Sequence, residues 1–217
     1  MTLITLALPW PLMVPIFVLS LTALMAVSGQ VHYFLAEQRS VELWCRRTAL
    51  RYAWLHAGVL TLIIMAPTDG LTRLLWTFFC LFVFRMSLTD RLSGWLPSDF
   101  TWSCLLAGIL VAVMQSQGLV NLAVATALVC ASALLRSVGS WYAGQEVIGL
   151  GDVWLTGALG AWLGWMPALQ ALLAGTGGFV LWQLAGRQSH GGPLGPWLCW
   201  GGQLLMLQML YQPLLTW

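Results

Sequence analysis

Lysine is absent from the 217 residues, and charged residues of all kinds make up only 7% of the chain. Ordinary globular domains carry about a quarter of their residues as charges, so this composition excludes a soluble domain. Hydrophobic residues reach 59% and the mean hydropathy is +0.83, values of a chain that lives in lipid. Paired cysteines are missing too. Cys45, Cys80, Cys104, Cys130 and Cys199 stand singly, with no Cys-x-x-Cys and no histidine at ligand spacing. Most lie in expected spans and read as small apolar fillers, and neither a zinc centre nor a disulfide framework is expected. No basic patch interleaved with aromatics is present, which argues against a nucleic-acid partner. The first apolar run lacks a basic start and is expected to remain as a span instead of being cleaved.

What the chain does have is apolar helix. A spanning helix takes about 20 residues, so the length predicts an all-α polytopic membrane helix bundle of about eight transmembrane helices. Residues 1–217 then form a single integral-membrane domain. The expected spans are about Leu3–Val27, Trp54–Ala66, Leu74–Leu88, Trp102–Met114, Leu119–Leu135, Asp152–Gly164, Ala168–Ala185 and Pro196 to near Trp217. Pro9, Pro11 and Pro15 predict that the first is kinked or begins late. Between it and the second, Gln30 to Arg51 is the longest polar segment, and Pro67-Thr68-Asp69-Gly70 reads as a tight turn. With no lysine, orientation rests on arginine alone. Arg39, Arg46, Arg47, Arg51, Arg91, Arg136 and Arg187 fall in alternate loops, which the positive-inside rule places in the cytoplasm.

Within this apolar chain carboxylates are costly, and those at the ends of spans draw attention. Asp152 closes Gly149-Leu150-Gly151-Asp152 and opens the sixth span. The two glycines are expected to let the backbone turn sharply and approach a neighbour closely. Asp90 ends the third span. Both aspartates fall on the same edge of the bundle, so helix packing can pair them. Glu146 is expected to be a solvated loop charge or a supporting residue, Asp99 a cap or solvated residue. Pro97 ends regular structure before the fourth span, with Ser98, Asp99 or Thr101 available as its N-cap. Arg85, inside the third span, is expected to snorkel to the edge or to enter an ion pair.

Three stretches resemble one family. Gly149-Leu150-Gly151-Asp152, followed by Leu155, Leu159-Gly160-Ala161 and Leu163-Gly164, is similar to the signature of the type IV prepilin leader peptidases, membrane-embedded aspartic proteases of the Gly-x-Gly-Asp class. Asp90 with Leu96-Pro97 and Phe100-Thr101 resembles that family's first-aspartate segment. Gly192-Pro193-Leu194-Gly195-Pro196-Trp197-Leu198 resembles the element before its last span. The matches run from about Asp90 to Gly202. Trp154 and Ser98 depart from the usual residues, and the large cytosolic loop with two Cys-x-x-Cys pairs is missing.

The resemblance implies an Asp90/Asp152 catalytic dyad supported by Gly149, Gly151, Glu146 and Pro97. It further implies an enzyme in the bacterial inner membrane, with its site facing the cytoplasm, that removes the basic leader of a prepilin or pseudopilin without metal or cofactor. Methylation of the new terminus, which goes with the Cys-rich loop, is not expected. A small proton-coupled transporter using the same carboxylates as a relay is the alternative from a different class, and an inactive scaffold in a pilus or secretion assembly is a third. The residues leave open which aspartate is the base, which pilin is cut and what oligomer forms. The arginine pattern is directly testable. Reporter fusions after Arg47, Ser93, Gly144 and His190 should report cytoplasm, and those after Asp69, Gln117 and Pro167 the opposite face.

Overall fold

The structure, a computed structural model, describes residues 8–38, 40–146, 148–186 and 192–215. Among the described residues there are eight α-helices and no strand: α1 (Met13–Glu37), α2 (Arg46–Met65), α3 (Gly70–Ser93), α4 (Ser98–Met114), α5 (Gly118–Ala143), α6 (Leu150–Leu163), α7 (Trp165–Gly186) and α8 (Gly195–Leu215). Five segments are long and apolar enough to cross a membrane: Trp10–Glu37, Arg46–Met65, Gly70–Ser93, Gly118–Ala143 and Trp165–Gly186. α4 is a shorter apolar helix, and α6 has only 14 residues. The expected start at Leu3, Arg39, Arg187, His190 and Trp217 lie outside the described residues.

The largest difference from the sequence reading lies near the start. α1 continues to Glu37 and α2 already begins at Arg46, so most of the polar segment Gln30 to Arg51 is helix. The reason is a single buried stripe. Leu24, Ser28, Val31 and Leu35 recur at helical spacing and are buried, with Leu24, Val31 and Leu35 packing against Ala49, Ala53, Ala57, Phe84 and Leu88. Gln30, His32 and Glu37 occupy the outer face, and averaging over both faces hides the stripe. The proline expectation has a similar explanation. Pro15 lies in the first turn of α1, where its missing N–H costs little, so the helix begins late and needs no kink.

Helix ends elsewhere follow local chemistry. Asp69 caps α3, accepting from Thr72 N at 2.9 Å and Thr72 Oγ1 at 2.6 Å; these bonds hold its carboxyl below the usual carboxylate range. α4 departs from expectation: its N-cap position is Pro97 with no side-chain cap, and Thr101 Oγ1 donates back to Ser98 O at 2.9 Å. α5 runs past Leu135 to Ala143 and stops at Gly144, which takes the left-handed φ of 67°.

α6 is the axis of the bundle, buried at every position from Leu155 to Leu163 and packed against α4, α5, α7 and α8. Its small residues permit this. A Cβ on Gly160 would lie 3.2 Å from Ala125 Cα, and one on Gly157 2.5 Å from Val129 Cγ2. Polar groups tie its far end: Trp162 Nε1–H donates to Cys104 O at 2.9 Å, and Asn121 Nδ2 to Ala161 O at 2.9 Å. Such bonds are satisfied within the protein because the lipid core offers no partner.

α8 reaches the centre by a closer approach still. A Cβ at Gly201 would run into Ala171 O and lie 2.9 Å from Gly175 N, both on the α7 backbone, whereas Gly177 has nothing within 4 Å. Backbone cannot step aside as a flexible side chain can. Gly201→Ala should therefore cost about 1–3 kcal/mol through overpacking, while Gly177→Ala should be neutral or stabilising by up to about 1 kcal/mol. Thermal unfolding in detergent distinguishes the two variants.

Candidate active site

Asp90 lies in the last turn of α3. Gly94 takes a left-handed φ of 66° and its N–H donates to Asp90 O at 2.8 Å, so the helix C-terminus holds the aspartate backbone fixed. Asp152 lies in the first turn of α6, whose N-cap position is Gly149, and the Asp152 N–H donates to Gly149 O at 3.1 Å. A carboxylate here also meets the positive end of the helix dipole.

The glycines of the Gly-Leu-Gly-Asp stretch act through space more than through turning. Gly149 has φ −65° and ψ 147°, ordinary extended backbone, and Gly151 is not among the glycines with positive φ. At Gly151 a Cβ would run into Leu96 O and lie 2.7 Å from Leu96 Cβ. Close approach to the Leu96-Pro97 segment is what that position requires, and it draws the start of α6 against the connection between α3 and α4.

A third backbone completes the site. A Cβ at Gly195, the first residue of α8, would lie 2.6 Å from Asp90 Oδ2 and 3.3 Å from Asp152 Oδ1. The two oxygens therefore cannot be farther apart than the sum of those distances. Both atoms are buried and have no hydrogen-bond partner among the described residues, although Asp90 is only 4% exposed. A Cβ at Gly149 would likewise lie 3.3 Å from Asp152 Oδ2. No cation compensates them: the one ion pair among the described residues joins Arg136 and Glu146 at 2.6 Å. Leaving two buried carboxylate oxygens unpaired is costly, and such groups mark places where stability yields to chemistry.

The aspartates face a cleft of about 320 Å³, lined also by Gly94, Trp95, Leu96, Glu146, Gly149, Leu150 and Gly151. Of the expected residues, Asp90, Asp152, Gly149, Gly151 and Glu146 thus come together. Pro97 is buried beneath the cleft and does not line it. Glu146 is engaged: Arg136 donates to its Oε1 through Nε at 3.1 Å and Nη2. Arg136 Nε also donates to Ile148 O at 3.0 Å, a clamp on the loop leading into α6. Asp99, exposed at the start of α4, is outside the cleft. Arg85 pairs with no acid among the described residues. Its guanidinium lies 3.9 Å above the Phe100 ring and Nη2 donates to Ser103 Oγ at 3.3 Å, a cation–π staple between α3 and α4. Among the described residues no group of three or more His, Cys, Asp or Glu is placed to hold a metal ion.

Sequence reasoning missed Gly195 and Arg136. The family-like Gly-Pro-Leu-Gly-Pro stretch pointed at the first without revealing its contact. Nothing local marks Arg136, whose partners are ten and twelve residues on.

Comparison with known proteins bears on this geometry. The family model described as "Type IV leader peptidase family" matches residues 77–182, which includes both aspartates. The prepilin leader peptidase/N-methyltransferase of Pectobacterium carotovorum subsp. carotovorum is 34% identical over 165 residues, 71% of this chain and 56% of that protein. The protein of the same name from Burkholderia pseudomallei strain 1026b is 34% identical over 133 residues, 57% of this chain and 42% of that protein. The one from Escherichia coli strain K12 is 33% identical over 172 residues, 71% of this chain and 75% of that protein. The chain thus spans about half the length of the first two of these relatives. No solved structure matches it. On the strength of the Escherichia coli K12 relative, matched over three quarters of its own length, and of the family model over both aspartates, the chain belongs to the type IV leader peptidase family.

Proposed function

We propose that this protein is a membrane-embedded aspartic endopeptidase that removes the leader of a prepilin or pseudopilin, with Asp90 and Asp152 as its catalytic pair and 1–217 as one peptidase domain. The observation that carries the reading is the meeting of two carboxylates, with no cation between them, against the backbone of Gly195 in a chain of this family. Like charges that close cannot both ionise readily and so share a proton. One carboxylate then takes a proton from water as it attacks the scissile carbonyl, while the other, a carboxylic acid, gives its proton to the carbonyl oxygen; as the resulting gem-diol collapses, the proton taken from water passes to the leaving amine and a gem-diol hydroxyl returns a proton to the second carboxylate. The proton belongs to the pair, and neither aspartate alone is the base. No metal or cofactor takes part in this scheme.

Gly149, Gly151 and Pro97 act on packing: Gly151 admits the Leu96 backbone, Gly149 leaves room for the Asp152 carboxyl, and Pro97 ends the segment that Gly151 meets. Glu146 acts through Arg136, holding the loop into α6. The arginine bias favours a cytoplasmic site in a bacterial inner membrane, where a basic leader ends and a hydrophobic helix begins. A transporter relay is less well supported, because both carboxylates stand at helix ends and carrier sites lie near the bilayer midplane.

Asp90→Asn and Asp152→Asn should each reduce leader removal by at least about 10²-fold while leaving membrane insertion unchanged; a mobility-shift assay with coexpressed prepilin reads this. Near-normal cleavage by either variant rejects the pair. Since the reaction needs one protonated and one ionised carboxyl, the wild-type rate should fall towards both acid and alkaline pH, and chelators should leave it unchanged. Gly195→Ala, which pushes a methyl between the carboxyls, should cost roughly 10²-fold in kcat.

The connection between α1 and α2 spans only Gln38–Cys45, with one short 3-10 turn at Val41–Leu43. Donor pockets for drug-sized molecules usually start at about 300 Å³, more than a connection this short can enclose. Cleavage without methylation is therefore expected. Mass spectrometry of the processed pilin checks it: an added mass of about 14 Da at the new terminus, the mass of a methylene, that depends on this protein alone refutes the expectation.

A further inference from the structure

Beside the dyad cleft lies a second cavity, of about 400 Å³, between the start of α2, the end of α3, the end of α7 and the start of α8. Chain neighbours connect the two: Arg91 follows Asp90, and Pro196 follows Gly195. The peptidase reading makes no use of it. Its wall is aromatic, formed by Tyr52, Trp182, Trp197 and Trp200, with the Trp182 and Trp197 rings 5.9 Å apart at 40°. Two guanidinium groups, Arg51 and Arg91, line the same space, and both residues are exposed. Neither has an ion-pair partner among the described residues, where the one salt bridge joins Arg136 to Glu146. The nearest acid in sequence, Asp90, is committed to the dyad cleft.

Two like charges sharing a concave surface repel one another unless an anion lies between them. Guanidinium forks match the paired oxygens of a phosphate group better than any other common anion except a carboxylate. Tryptophan and tyrosine rings at the end of a membrane bundle sit at headgroup depth, and basic pockets between membrane helices receive phospholipid headgroups. The volume falls within the range of about 300–1,000 Å³ usual for small-ligand sites. A basic leader peptide, in contrast, is repelled by both arginines.

We propose that this cavity is a phosphate site occupied by the headgroup of an anionic phospholipid. Arg51 and Arg91 hold the phosphodiester oxygens and the tryptophans cover the glycerol. A free phosphate satisfies the same forks but leaves the aromatic wall bare, which favours the lipid as the source. The proposal is independent of the peptidase reading, since nothing in it requires the aspartates.

The test uses the full chain in neutral detergent, offered phosphatidylglycerol, phosphatidylcholine or, at fixed ionic strength, inorganic phosphate. Native mass spectrometry counts retained lipid, and thermal unfolding reports stabilisation. Wild type should retain phosphatidylglycerol in preference to phosphatidylcholine and melt higher with it. Arg51→Gln combined with Arg91→Gln should weaken that preference by about tenfold or more. Arg46→Gln combined with Arg47→Gln, which removes equal charge from the same end of α2 outside the cavity, should keep it, as should Asp152→Asn. If the double variant melts early without lipid, Arg51→Gln alone carries the comparison. Equal retention of the two lipids, or equal loss in the two double variants, overturns the site. Stabilisation by inorganic phosphate without arginine-dependent lipid retention overturns the lipid assignment and makes the site one for free phosphate.

Discussion

The bundle is arranged around two carboxyl groups that repel one another whenever both are ionised. Asp90 and Asp152 come from helices of opposite direction, and electrostatics alone drives them apart. Backbone proximity supplies the opposing constraint. α6 presses its second residue, Gly151, against the Leu96 carbonyl, and α8 brings Gly195 to both carboxylates. Each approach works only because a side chain is missing there. The packing that holds these ends in place is spread along the helices, through Gly157 and Gly160 against α5 and Gly201 against α7.

This explains where polar bonds are found and where they are absent. Away from the site, Trp162 donates to Cys104 O, Asn121 to Ala161 O, and His56 Nδ1 pairs with Tyr52 O at 2.9 Å, while Arg85 Nε and Ser140 Oγ are buried without a partner among the described residues. At the site, one oxygen of each aspartate is left without a partner. Stability gained along the length of the bundle offsets that local loss.

The fold class and the aspartates were legible because they depend on signals local in sequence. Apolar runs of membrane length give helices, and a carboxylate at the end of such a run stands out. Helix limits were less legible. The ends of α1 and α2 depend on a stripe of Val31, Leu35, Ala49 and Ala53 that exists only when the two helices face each other. The reason for Gly151 was half legible: close approach was foreseen, but its partner, Leu96 O, belongs to a different helix connection. Gly195 and Arg136 were hidden for the same reason, since contact across long sequence separations leaves no periodic trace. Arg85 was anomalous in sequence, and only Phe100 beneath it explains how a guanidinium is accommodated there.

The brevity of α6 has a consequence for the surrounding lipid. Fourteen residues rise about 21 Å, less than the hydrocarbon thickness of about 30 Å. A helix this short cannot keep both ends at the two water boundaries of an undisturbed bilayer. The mismatch is met by local thinning or by a recess between longer neighbours, of which α5, with 26 residues, is one. In the proposed peptidase reaction one water is consumed per bond cut, and the length of a single helix thus bears on how that reactant arrives.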